Sequence, residues 1–141
     1  MDTADLARQV AGVQNALVRE QCYVCWMTPN DSPPPLTVSK ERIRLDHHAY
    51  LLDLERRGVL FGAGPFVDEK GNRHGAGMII IRAKDRAEAE EVAFAEPYTR
   101  AGQRIMILTP WQRNEGAVNL SLRFAEGVLE VDNRRYKLSK L

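Results

Sequence analysis

The sequence predicts an α+β fold in which two crossover helices pack on one face of a four-stranded antiparallel sheet. Three observations predict it. Apolar residues recur at helical spacing around residues 4–19, 39–57 and 85–96. Between them lie short apolar runs, QCYVCWM, VLFGAGPF, GMIIIRA and RIMILTPW, each bounded by turn signals. From residue 21 the order reads strand, helix, strand, strand, helix, strand. This is βαββαβ, the ferredoxin-like split βαβ arrangement.

Each element has a local reason. Leu6, Val10, Val13 and Leu17 form the stripe of an amphipathic N-terminal helix. Cys22 to Met27 read as the first strand. Cys22 and Cys25 have the spacing of a redox or metal pair, but three positions along a strand point to opposite faces. Two buried small apolar residues are the better reading. In TPNDSPPPLT three consecutive prolines continue neither helix nor sheet. A helix then starts behind Ser39 as N-cap and ends at Gly58. VLFGAGPF is a strand broken by Gly62, Gly64 and Pro65, DEKGNRHG is a turn, and GMIIIRA returns, so the two make a hairpin. Asp85 caps the helix DRAEAEEVAFAE, which is expected to run to the Glu96–Pro97 step, because a residue before proline avoids the helical region. RIMILTPW is a further strand, and the tail from about Asn114 suggests one or two short extra strands. The chain thus divides into an N-terminal helical extension (1–20), a central domain (21–113) and a C-terminal β extension of that same domain (114–141).

Composition narrows the function. With 141 residues the chain suits one compact domain. Its net charge of +1 carries no run of one sign, so neither nucleic acid nor an anionic membrane is expected as a partner. No apolar run approaches the roughly 18 residues that span a bilayer. The acidic start MDTADLARQV lacks a secretion pattern, so a cytoplasmic location is expected. MIII and IMIL are apolar at consecutive positions, so both sheet faces want to leave water. The helices cover one face. A second copy of the chain, in a homodimer or higher homo-oligomer, is the expected cover of the other, with the chain's own ends as the alternative.

The helical stripes single out two residues. Ile43, His47, Tyr50, Leu51 and Leu54 share the face turned to the sheet, whereas His48 falls beside it with Arg44, Leu52 and Glu55. Ala89, Val92, Ala93 and Glu96 share the inward face of the next helix. A carboxylate on an apolar stripe is costly to bury unless paired. His47 is the available partner, and such a pair would hold the imidazole in one tautomer, as acid–base work needs. A satisfied core histidine, with Glu96 reaching water, is the competing account.

The run R-x-x-H-x-x-Y-L-x-x-L-x-x-x-G from Arg44 to Gly58, GAGP at 62–65, AEPYTRAG at 95–102 and the strand-ending Pro110–Trp111 together resemble the YCII-related family over about residues 21–113. That resemblance implies a ferredoxin-like, dimeric α+β barrel architecture and a His–Asp dyad in a pocket between helices and sheet. The family's histidine falls on His47. Its aspartate falls on Glu96, a departure that lengthens the side chain by one methylene. The implied chemistry is lyase, isomerase or dehydrohalogenase action on a small aromatic or lactone compound, with His47 as base and Glu96 as its orienting partner. The alternative is a non-catalytic small-molecule binding or oligomeric interaction module.

Around this pair, Arg44 could hold an anionic group or simply make a solvent salt bridge. Gly62 and Gly64 could admit substrate to the backbone or mark a bulge. Gly64, Pro65, Tyr98 and Arg44 are the candidate substrate-binding residues, Trp111 a lesser one, and His74 is expected to be exposed in the turn. GAGPFVDEKG opens no helix and is no dinucleotide fingerprint. Adjacent helical residues diverge by about 100°, so His47 and His48 do not converge with Glu96 on a metal. No cofactor and no metal are expected.

Overall fold

The computed structural model describes residues 1–14, 19–132 and 134–139. The chain falls into two compact units. One comprises Val18–Arg113. Its strands are β1 (Glu20–Pro29), β2 (Leu60–Val67), β3 (Arg73–Arg82) and β4 (Arg104–Arg113). Two of its helices, α2 (Lys40–Arg56) and α3 (Arg86–Ala93), are followed by the short α4 (Pro97–Arg100). The strands form an open antiparallel sheet in the order β2-β3-β1-β4. Pro65 and Pro110 fall on the two edge strands, where a missing N–H costs no ladder bond.

The register sorts the sheet into two faces. Tyr23, Cys25 and Met27 lie opposite Ile81, Ile79 and Gly77 on one side and Pro110, Leu108 and Met106 on the other. This row packs with Leu54 of α2 and Ala89 and Ala93 of α3 into the core. Both helices therefore cover one face. The other row places Val24 and Trp26 against Ile80, Met78 and Ile107. Ile105 and Ile107 on it stay 52% and 64% exposed, as does much of Trp26, which stacks on Phe66 with ring centroids 5.9 Å apart. Cys22 and Cys25 are free thiols buried on opposite faces. Burial pushes the Cys25 thiol up to about 12, with the charge of Glu96 adding to it, so it is inert as a nucleophile.

Helix α2 begins at Ser39, whose hydroxyl accepts from the Arg42 amide at 3.0 Å. It ends with Gly58 at φ 71°, where the amides of Gly58 and Val59 bond back to Glu55 and Leu54, a Schellman closure that needs the left-handed conformation. Helix α3 starts at Asp85 as expected but stops at Ala93, three residues short of the predicted end. The amides of Ala95 and Glu96 turn to the carbonyls of Val92 and Ala93, and Pro97 then opens a new helix at its first position. The proline marks the start of α4 rather than the end of α3. Strand β2 is continuous across Gly62, Gly64 and Pro65, with register shifts at Leu60/Gly62 and Pro65/Val67. Strand β3 begins at Arg73, inside the predicted turn.

The second unit comprises Met1–Leu17 and Asn114–Leu141. It contains α1 (Thr3–Gln14), and the predicted continuation of that helix through Leu17 lies outside the described residues. It also contains a three-stranded antiparallel sheet of β5 (Leu120–Arg123), β6 (Val128–Val131) and β7 (Arg134–Lys137), where one or two strands were expected. Among the described residues no helix is long and apolar enough to cross a membrane.

Candidate functional site

The inner sheet face is not filled along its whole length. Below the core residues Ile79 and Met27, its next positions on β3 are Gly77 and Gly75, and neither carries a side chain. A Cβ on Gly77 would meet the Gly64 carbonyl oxygen at 3.0 Å, so glycine there also lets β2 and β3 approach. The space left under α2 is a cavity of about 440 Å³. That lies within the usual size of small-molecule sites. His47, His48, Arg44 and Leu51 of α2 line it from above, Ala63, Gly64 and Pro65 of β2 from one side, and Tyr98, Arg104 and Arg73 from the ends of α4, β4 and β3.

Glu96 lies directly behind His47 and is completely buried. Its Oε1 accepts from His47 Nδ1 at 2.7 Å and from the Tyr98 amide at 3.1 Å. Its Oε2 accepts from the Thr99 amide at 2.8 Å and the Thr99 hydroxyl at 2.7 Å. Two of these donors are the free amides at the start of α4, so Glu96 is the N-cap of that helix. Burial pushes the Glu96 carboxyl up, but hydrogen bonds from His47, from the Thr99 hydroxyl and from the Tyr98 and Thr99 amides outweigh it. The net effect holds it below the usual carboxylate range, so the side chain is ionised at neutral pH.

An ionised carboxylate only accepts. His47 Nδ1 must therefore carry the proton toward Glu96, and in the neutral ring the lone pair sits on Nε2. Nε2 has no hydrogen-bond partner among the described residues, and the ring is 13% exposed on the cavity wall. Tyr98 meets it edge-on with centroids 5.4 Å apart. Tyr50 braces α2 against α3 by donating to the Val92 carbonyl at 2.9 Å. The arrangement can accept a proton from a ligand in the cavity and return it.

The structure brings together His47, Glu96, Arg44, Gly64, Pro65 and Tyr98, the residues singled out from the sequence. Arg44 lines the cavity and is also paired with Glu41 at 2.7 Å on the helix surface. Gly62 and Trp111 do not line it; Trp111 packs edge-on against Phe61 instead. His74 is exposed and bonded to Asp68 at 3.0 Å. Sequence reasoning missed His48, Arg73, Arg104 and the second clamp on Glu96, Thr99. The signal for Arg104 was alternation. Arg104, already the first residue of the predicted strand, continues the even-numbered row of Met106 and Leu108, whereas Arg73 lies beyond an irregular stretch of β3 at Gly75. Among the described residues no group of three or more His, Cys, Asp or Glu is assembled that could hold a metal.

Compared with curated proteins, the chain has no significant match. The model of the YCII-related domain matches residues 22–112, a span that contains β2, β3, all but the outer ends of β1 and β4, the cavity and both members of the His47–Glu96 pair. The chain belongs to the YCII-related family.

Proposed function

We propose that the cavity is the active site of a cofactor-independent lyase, isomerase or dehydrohalogenase acting on a small aromatic or lactone compound in the cytoplasm. His47 Nε2 removes a proton next to a carbonyl or from a ring hydroxyl; in an isomerisation it returns the proton to another atom of the same molecule, and in an elimination the leaving group departs with its bonding electrons while the imidazolium passes the proton to water. Glu96 fixes the tautomer and offsets the charge that forms on the ring. Gly64 and Pro65 form one wall for the ligand, and Tyr98 packs against the edge of the imidazole. The observation that carries this reading is the combination of a buried, ionised carboxylate on Nδ1 with an unpartnered Nε2 on the cavity wall.

The working unit proposed is a homodimer of ferredoxin-like domains, its sheets meeting to complete a barrel. The strand order β2-β3-β1-β4 with two crossover helices on one face supports the ferredoxin-like assignment. The half-exposed row of Trp26, Phe66, Ile105 and Ile107 on the other face supports the dimer.

Incubation of ring lactones and halogenated phenols in heavy water tests the chemistry. The reading predicts deuterium incorporation or halide release with the wild type and none with His47→Gln. Equal turnover by both proteins contradicts it. Binding without exchange by either makes the protein a small-molecule binding module instead.

A further inference from the structure

The cavity lining is electrostatically one-sided: three arginines and two histidines contribute to it, and no carboxylate does. Two of those groups are already answered. Glu41 pairs with Arg44, and Glu96 with His47. Arg73 and Arg104 have no carboxylate within ion-pair distance among the described residues. Arg104 is nevertheless held in place. Its guanidinium stacks on the Tyr98 ring at 4.2 Å, which occupies the flat face of the fork. The N–H donors of a guanidinium lie in its plane, so stacking leaves its edge open. Arg73 begins β3 and Arg104 begins β4, both strands run antiparallel to β1, and both residues line the cavity, so they stand at the same end of the sheet. Two unanswered cations in a concave, partly apolar site repel each other, and an anion drawn in by their field relieves this.

From this one-sided lining we infer that the cavity takes a small organic oxyanion, a carboxylate or a phosphate ester, held by the edges of Arg73 and Arg104, with its apolar body over Met27 and Leu51. The inference rests on the reading of this cavity as the ligand site and adds the charge class of the ligand. Anchoring at the strand ends places the rest of the molecule under His47, so the proton removed belongs to a carbon or hydroxyl beyond the anionic group.

Titration of protein labelled at the methionine methyl groups tests it, with benzoate, phenyl phosphate and the neutral benzamide as probes. Met27 lines the cavity and Met1 is 87% exposed at the chain start, so the first reports binding and the second is the control. At least one anion is expected to shift Met27 but not Met1, about tenfold or more tighter than benzamide, as charge-assisted hydrogen bonds would give. Benzoate alone assigns a carboxylate, phenyl phosphate alone a phosphate, and both assign the shared oxyanion. Arg73→Gln and Arg104→Gln should each weaken the anion about fivefold or more, while Arg104→Lys keeps part of the affinity. The probes report binding alone and need no proton transfer, so a failure of the proton-transfer reading leaves this result standing. Equal affinity for benzamide, unchanged affinity in both glutamine variants, or no Met27 shift with any probe overturns the inference.

Discussion

Two glutamates of the same unit are locked into hydrogen-bonded clusters, one at the start of a strand and one at the start of a helix, and only one cluster is left with an unanswered group. Glu20, at the start of β1, bonds Arg82 of β3 at 2.5 Å and Arg113 of β4 at 2.6 Å. Both guanidiniums lie over the Phe61 ring, 5.2 and 4.8 Å from its centroid, and Arg82 also donates to the Leu60 carbonyl at 2.9 Å. The hydrogen bond from Arg82 holds the Glu20 carboxyl below its usual range against the opposing effect of burial, and the charges of both arginines and the hydrogen bond from Arg113 add to it. Every member serves to pin four strands together. Glu96 is the reverse case. Four donors satisfy it completely, and one of them, His47, presents its other nitrogen to a cavity without a partner.

The largest expected effect breaks the second cluster. Glu96→Ala strands an imidazole, two amides and a hydroxyl, and should lower stability by about 3–5 kcal/mol, as breaking a buried pair does. Urea unfolding measures it. The matching Glu20→Ala removes partly solvated ion pairs and should cost only about 1 kcal/mol. Equal losses would contradict the contrast in burial between the two carboxylates.

Acid sharpens the contrast. A carboxyl whose folded pKa lies below its unfolded value, about 4.3, stabilises the fold in full above that value. The contribution is lost as pH falls through the lower folded value. Both glutamates act in this direction. Glu96 has the more buried site, so Glu96→Gln should flatten the acid limb of the stability curve, relative to neutral pH, more than Glu20→Gln does. The smallest effect is expected at Arg44, whose partner Glu41 lies with it on the exposed helix surface. Arg44→Gln should leave the melting temperature unchanged, and its oxyanion affinity should fall less than that of Arg73→Gln.

Much of this contrast was legible in the sequence, and the reasons differ by residue. Helical periodicity carried His47 inward because α2 is regular over 17 residues between a serine cap and a glycine stop. Glu96 reached the right place by a different route. Its inward direction was read from a helix that in fact ends at Ala93, and it is buried because it caps α4. The clue was in the letters E-P-Y-T, since an acceptor before proline is an N-cap followed by its N1 residue. Arg73 was overlooked because it lay in the stretch read as a turn, and Arg104, although the first residue of the predicted strand RIMILTPW, because its inward direction was not followed past Met106. Strand pairing reaches both residues. Glu20 was missed for a plainer reason: its partners lie 62 and 93 residues away, and no local period connects them.

The tautomer of His47 tests the central claim most directly. In nitrogen-15 spectra of the imidazole above neutral pH, the wild type should carry its proton on Nδ1 and a bare Nε2. In Glu96→Gln the amide nitrogen is expected at the Oε1 position, where it sacrifices only the long 3.1 Å bond from Tyr98. It would then donate to Nδ1, and the proton would move to Nε2. A bare Nε2 in the wild type that becomes protonated in the variant is the predicted result. A proton on Nε2 in both proteins would contradict the account, because the nitrogen over the cavity would then have no lone pair to act as a base.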